Sequence, residues 1–473
     1  MKTVKLFFMA ALALMTAACS NDDNDFDEQP QKAKGITITA QLAPKTNGTT
    51  RAVADNDDNK ITVTWAEGEH IAILYNISGT KYAADAEITN VDGDGAATIT
   101  FTVQDGTPDN TSCTLVYPLS AAKDDNSGVK DYATLLDAQD GTLNANLDVR
   151  VGEGTIKTTT PSLSVTTQPA AQFCIFKLTM KDIDGSADVS ASSVVISDQS
   201  GKVTTVTPAS GYDKVMYVAL PTSATTLKFL VTVSDSKKYF NMASDLSLET
   251  KFYQSTIKLA TIGNVIASNG KCYKNMAATP GGNTAVAMIT YLGNDAETNT
   301  TYKNGLALAL TDASSGTVAW CAVSNRVTCL SSQYNSWSSA GGDMAGIANT
   351  ETLVNNSNVT VNNSTHKHAA ANAARNYQYS VAHPTGTSEW FLPSYGQWYK
   401  MIIVKGYNRN ADNYKALCES FSSVGGTNMG SQNYWSSTEY DKDYACRSYY
   451  NGTTSDSRPS KGNANKVRAG LAF

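Results

Sequence analysis

From Ile36 to Leu259 the chain repeats one pattern, short runs in which apolar and polar residues alternate, separated by Gly, Asn and Asp. Ile36, Ile38, Ala40 and Leu42 fall on one face, followed by Ile61, Val63 and Trp65. Next come Ile71-Ala72-Ile73-Leu74-Tyr75, then Ile99, Phe101 and Val103, then Cys113-Thr114-Leu115-Val116-Tyr117-Pro118. Successive strand side chains point to opposite faces, so a period of two buries one face and wets the other. Many such runs at short spacing, with turns such as Asp92-Gly93-Asp94-Gly95 and Asp105-Gly106, predict β-sandwiches. The pattern fades over residues 119–160. It resumes after Pro161 with strands expected at Phe173–Met180, Val194–Ser197, Val203–Val206, Val215–Leu220, Leu227–Val233 and Thr256–Leu259. Two tandem sandwiches are therefore expected, at 36–160 and 161–260. No helical periodicity of useful length precedes residue 260.

The pattern changes in residues 261–473, where an α+β domain is expected. Glu389-Trp390-Phe391-Leu392-Pro393-Ser394 reads as a strand stopped by proline. Ser394 can then cap a helix carrying Trp398, Met401, Ile402 and Lys405 at three- to four-residue spacing. Asn433-Tyr434-Trp435-Ser436-Ser437-Thr438-Glu439 leads through a polar turn into a tyrosine-rich strand at 444–450. Large aromatics beside turn residues pack into cores, which is the plain reading of both motifs.

The amino terminus reads as an export signal at 1–19. Lys2 and Lys5 precede an apolar run, Leu6 to Met15, too short to span a bilayer, and Thr16-Ala17-Ala18-Cys19 closes it. This end resembles the lipobox of bacterial lipoproteins, in which the cysteine, here Cys19, is acylated. The acidic stretch from Ser20 to Glu28 cannot bury apolar surface and predicts a solvated tether over 20–35. It is also similar to the signal that sends some lipoproteins to the outer face of the outer membrane.

Net charge is −6, becoming −8 once Lys2 and Lys5 leave with the signal, and no basic cluster occurs. Nucleic acid and anionic lipid surfaces are thereby disfavoured as partners. A chain of 473 residues fits about three domains at roughly 150 residues each. Besides Cys19 the cysteines are Cys113, Cys174, Cys272, Cys321, Cys329, Cys418 and Cys446, with no Cys-x-x-Cys pair. Cys113 and Cys174 read as buried thiols or as a pair. Cys321–Cys329 and Cys418–Cys446 are both open as bridges.

Catalytic and metal motifs are absent. His70, His366, His368 and His383 form no His-Glu-x-x-His, and no Gly-x-Ser-x-Gly elbow or phosphate-cradling loop occurs. His366-Lys367-His368 reads as a solvated polar stretch, and Asp441-Lys442-Asp443 as a turn. No enzyme activity, cofactor or metal is expected.

The front of the chain resembles the fimbrillin family, pilus subunits made from lipoprotein precursors. Thr50-Arg51-Ala52, Trp65-Ala66-Glu67-Gly68-Glu69-His70-Ile71, Val116-Tyr117-Pro118, Tyr217-Val218-Ala219-Leu220-Pro221 and Phe252-Tyr253 carry the resemblance, with Glu69 where the family usually has Asp. It implies that the first strand, Ile36 to Leu42, fills a groove in the first sandwich. An arginine-specific protease would cut after Arg51, making Ala52 the new amino terminus and releasing anchor and strand together. A strand donated by a neighbouring stalk subunit would then enter the groove. The back of the chain, 261–473, resembles surface modules of C-type-lectin-like or formylglycine-enzyme-like fold, through the two aromatic motifs and the terminal Val467-Arg468-Ala469-Gly470-Leu471-Ala472-Phe473. The calcium-binding tripeptides of C-type lectins (Glu-Pro-Asn, Gln-Pro-Asp, Trp-Asn-Asp) do not occur.

A stalk subunit ends in its own donor strand, whereas some 210 residues follow the sandwiches here. The expectation is a pilus tip subunit, located as an outer-membrane lipoprotein precursor and then at the cell surface. Its last domain would bind a glycan or protein ligand through Trp337, Tyr449, Tyr450 and Asn451. The alternatives are a glycan-binding surface lipoprotein that never polymerises, and an enzyme of the formylglycine-generating type.

Overall fold

A computed structural model describes residues 35–44, 55–56, 60–61, 64–143, 147–233, 237–299, 301–321, 329–330, 334, 336–355, 359–361, 364–366, 368–404, 416–448 and 459–473. Strands predominate over helices, as the alternating pattern requires.

The first body is a seven-stranded sheet in the order Ile36–Leu42, Ala97–Val103, Thr80–Val91, His70–Ile77, Thr111–Tyr117, Arg150–Lys157 and Ser162–Ala171. Every neighbouring pair is antiparallel. The central strand His70–Ile77 is buried on both faces, which explains why its sequence is a continuous apolar run. Ile71, Ile73 and Tyr75 enter the first core, whereas Ala72 and Leu74 join the core of the second body. On Arg150–Lys157 a side chain at Gly152 would meet Thr167 O at 2.7 Å and Pro169 N at 2.8 Å, so only glycine lets the last hairpin close this tightly.

The boundary expected near residue 160 lies in the turn of that hairpin, and the chain leaves the first sheet only after Ala171. The faint stretch before it crosses over instead. Ala138–Gln139 adds in parallel to Gly201–Val206 of the second body, and the Gln139 side chain exchanges hydrogen bonds with Ala219 O (3.0 Å) and Ala219 N–H (2.9 Å). Two residues pairing across such a separation leave no periodicity to read.

In the second body a five-stranded sheet (Lys238–Ala243, Leu227–Thr232, Ser193–Asp198, Gly201–Val206, Ala138–Gln139) faces a three-stranded one (Val215–Pro221, Phe173–Asp182, Phe252–Leu259) across one apolar core. The third body is built on a sheet in the order Cys272–Tyr273, Val265–Ala267, Ala285–Leu292, Gly305–Ala309 and Gly470–Ala472, so its first and last strands share one layer. Gly346–Asn355, Ala369–Asn376 and Tyr395–Val404 are its longer helices among the described residues.

The second and third bodies share a core. Leu230, Phe240 and Met242 of the second sit in one cluster with Trp320, Trp390, Trp435 and Phe473 of the third, and the Phe240 and Phe473 rings lie 4.4 Å apart. Lys228, 1% exposed, reaches across to the Thr301 carbonyl at 3.1 Å and lies 4.9 Å from the Tyr302 ring centre. Burial depresses its pKa to about 8.

Candidate functional site

Two regions bear on function: the place of the leading strand, and the surface of the third body.

The leading strand lies at one edge of the first sheet, its backbone paired from Ile36↔Val103 to Leu42↔Ala97. Ile38 and Leu42 are fully buried and Ala40 nearly so, while Thr37, Thr39 and Gln41 face out. The other edge strand, Ser162–Ala171, lies alongside, and the Gln168 side chain accepts a hydrogen bond from Ala43 N–H at 3.3 Å. The leading strand therefore fills the gap between the two edges of a strongly coiled sheet. Trp65 donates through Nε1 to the Ala43 carbonyl at 3.2 Å and fixes the end of the strand. At its start, a side chain on Gly35 would sit 2.2 Å from Thr102 Cγ2 and 2.7 Å from Val103 O, which only glycine avoids. Burying Ile38 and Leu42 contributes about 3–6 kcal/mol together. Without this strand the inner faces of Ile99, Phe101 and Val103 lose their cover.

The aromatic motifs of the third body are core. Trp390, Phe391, Leu392, Tyr434 and Trp435 are fully buried, and Trp398 is 1% exposed. Each indole N–H is used: Trp390 on Val381 O (2.7 Å), Trp435 on Val318 O (2.8 Å), Trp398 on Trp435 O (3.4 Å) and Trp320 on Ser436 O (2.8 Å). Ser394 caps the helix Tyr395–Val404 as expected. Gln397 N–H donates to Ser394 Oγ at 3.3 Å and Ser394 N–H to Gln397 Oε1 at 2.9 Å, a reciprocal capping box.

Buried charge cross-links this core. Arg468 donates to Asp312 Oδ1 (2.9 Å), Leu310 O and Thr427 O, and Tyr434 OH reaches the same carboxylate oxygen at 3.0 Å. Glu297 accepts from Thr298, Ile347 and Gln397, and burial raises its pKa against those bonds. Tyr291 and Lys400 both hold Asp295. These groups are consumed by one another, so they brace the fold.

Of the residues expected to meet a ligand, Trp337 opens the one-turn helix Trp337–Ala340. Tyr449, Tyr450 and Asn451 lie outside the described residues, as do Cys19, Arg51 and Ala52. The strand expected over 444–450 is described as Ala445–Ser448, paired with Tyr434–Glu439. Two tyrosines of the third body do expose large rings, Tyr379 at 82% and Tyr444 at 41%. Tyr444 belongs to the stretch singled out by sequence, whereas Tyr379 was missed. In Tyr377-Gln378-Tyr379 nothing local says that the first ring packs on Trp390 and the second faces water.

Asp441 Oδ1 accepts from Asp443 N–H (2.8 Å) and Tyr444 N–H (2.9 Å), closing the turn read from sequence. No group of three or more metal-ligating side chains converges among the described residues. His368 is fully buried edge-on to Trp320, 5.6 Å between centroids. Burial holds the thiols of Cys113, Cys174 and Cys272 up at about 12, the opposite of an activated nucleophile. Cys113 and Cys174 sit in different cores, so they are not a pair.

No family model matches the chain, and no curated protein matches it. Among solved structures it is similar to a fimbrial protein from Bacteroides ovatus, at 15% identity over 93% of this chain and 100% of that one, with a TM-score of 0.33. A fimbrial assembly protein from Parabacteroides distasonis matches at 13% identity over 48% of this chain and 92% of that one, with a TM-score of 0.30. At such identities and scores the functional argument rests on the residues themselves.

Proposed function

We propose that the protein is a pilus subunit that receives a strand from its neighbour without donating one, and that it carries an adhesive head. The observation that supports this best is the leading strand. It lies at a sheet edge, plugs the gap to the opposite edge with Ile38, Ala40 and Leu42, and is joined to the rest of the chain through the segment containing Arg51. Cutting after Arg51 leaves the strand held only by non-covalent contacts. A donated strand offering the same backbone pairing and alternate apolar side chains can then replace it.

Gly470–Ala472 is wholly buried in the third body, and Phe473 lies against Phe240, so this strand is spent within its own molecule. The shared layer of first and last strands, with helices packed around it, supports a lectin-like module, and the exposed Tyr379 and Tyr444 offer ring faces to a glycan. The reading assigns binding rather than catalysis to this module, and lipid on Cys19 as the precursor's anchor.

The test is the amino terminus of protein recovered from cells that make the arginine-specific protease. Mass spectrometry should find Ala52 first, and Arg51→Ala should leave the precursor lipidated and unassembled. An intact Cys19-lipidated chain in those cells would favour the non-polymerising surface lipoprotein instead.

A further inference from the structure

The core of the third body contains a buried ion pair, Lys461 with Glu439, whose side chains are 2% and 0% exposed. Two segments of chain hang from it. On the lysine side, the backbone N–H groups of Trp320 and Cys321 both donate to the Lys461 carbonyl, at 2.9 and 3.2 Å. On the glutamate side, Cys329 N–H meets both carboxylate oxygens at 2.8 and 3.0 Å, and Leu330 N–H meets one of them at 2.7 Å. The Lys461 ammonium also lies 5.2 Å from the Trp320 ring centre. The two cysteines are thus held from the two ends of one ion pair. Cys321 is buried in an apolar cluster and Cys329 packs against the same cluster, so the two thiols lie within electrostatic reach of each other.

The remaining described cysteines have other surroundings. Cys113 lies in the first core, and Cys174 donates to Leu220 O at 3.1 Å in the second. Cys418 and Cys446, the other pair left open by sequence, pack in separate clusters. Cys272 shares the cluster of Cys321, but burial alone moves its thiol.

We propose that Cys321 and Cys329 form a disulfide in the exported protein, made by exchange with a small-molecule or protein disulfide. Cys329 is the more exposed of the two, and Cys321 is 3% exposed. With oxidised glutathione, the Cys329 thiolate attacks one sulfur and releases one glutathione thiolate. Cys321 then gives up its proton and attacks Cys329 in the mixed disulfide, releasing the second glutathione. Two cysteine protons and two electrons leave the protein, and one glutathione disulfide becomes two thiols. The neighbouring Cys321 thiol and burial hold the Cys329 proton on, so exchange in the folded protein is slow and accelerates with rising pH. The bond would fix the chain entering and leaving residues 322–328 to the Glu439–Lys461 pair.

Peptide mapping tests this directly, because Arg326 lies between the two cysteines and trypsin parts them unless sulfur joins them. The full chain is exported, or refolded with oxidised glutathione, alkylated under denaturing conditions and digested. The expected product is Asn304–Arg326 linked to Val327–Lys367, collapsing to two peptides on reduction. The linkage should disappear in Cys321→Ser and in Cys329→Ser and persist in Cys418→Ser. Separate, fully alkylated peptides from the oxidised wild-type protein, or either cysteine linked to a different partner, would overturn the proposal. The wild-type map needs no variant to fold.

Discussion

Lys228 is the residue at which stability should respond most clearly to pH. Its ammonium is enclosed between the second and third bodies with the Thr301 carbonyl, the Tyr302 ring and the Asp198 carboxylate. The attraction of that carboxylate only partly offsets the cost of burial. Desolvation brings its pKa from 10.5 to about 8. The folded value is the lower one, so as pH falls the unfolded chain takes up its proton first. The stability this group contributes is therefore present above about 10.4 and is lost as pH falls to about 8. At about 1.4 kcal/mol per unit, the shift corresponds to roughly 3 kcal/mol. Denaturant unfolding at pH 7.5 and pH 10 should show this gain in the wild type relative to Lys228→Met, in which other titrations cancel. Equal pH dependence in the two proteins would contradict the assignment. Residue-scale roles were partly legible in advance. The cap at Ser394 and the Asp441 turn are local chemistry and could be read, whereas Lys228 and Glu439 looked like ordinary charged residues. Their burial is decided by segments distant in sequence, which leave no local pattern.

Among elements, the leading strand carries the functional claim. Its period of two was plain from Ile36, Ile38, Ala40 and Leu42, and the structure buries the last three. Sequence could not show that its partner is Ala97–Val103, nor that the opposite edge of the sheet is Ser162–Ala171. The same kind of long-range pairing hid Ala138–Gln139 and displaced the boundary expected near 160. Ile38→Ala should lower the stability of the uncut protein by about 2–4 kcal/mol through the cavity it leaves. Once the chain is cut and a foreign strand occupies the groove, the same substitution should have no effect. A loss of equal size in both forms, measured by denaturant unfolding, would mean that the strand never leaves.

At the scale of the whole molecule, the third body is docked on the second through a continuous core and does not hang from a linker. Phe240, fully buried against Phe473, is central to that contact. Phe240→Ala should cost about 3–5 kcal/mol and split one thermal transition into two, as the bodies lose their shared core. A single transition at unchanged temperature in calorimetry would contradict this coupling. The β-rich class of the front of the chain was legible from its alternation, and the entry of helices behind it from where alternation gives way to helical spacing. Their docking was not, because Phe240 and Met242 alternate like any other strand residues. Which rings of the third body face a ligand is likewise a property of packing, as Tyr377 and Tyr379 show.

The central claim is that the first sandwich exchanges its own leading strand for another molecule's. The direct measurement is the binding of a labelled peptide, matching the terminal strand of a stalk subunit, to the purified precursor before and after cutting at Arg51. The account predicts no binding to the uncut protein. With the cut protein it predicts slow, essentially irreversible binding, with release of the peptide containing Ile36–Leu42 in equal amount. Equal binding to both forms, or a cut protein that keeps its leading strand against a large excess of the peptide, would contradict it.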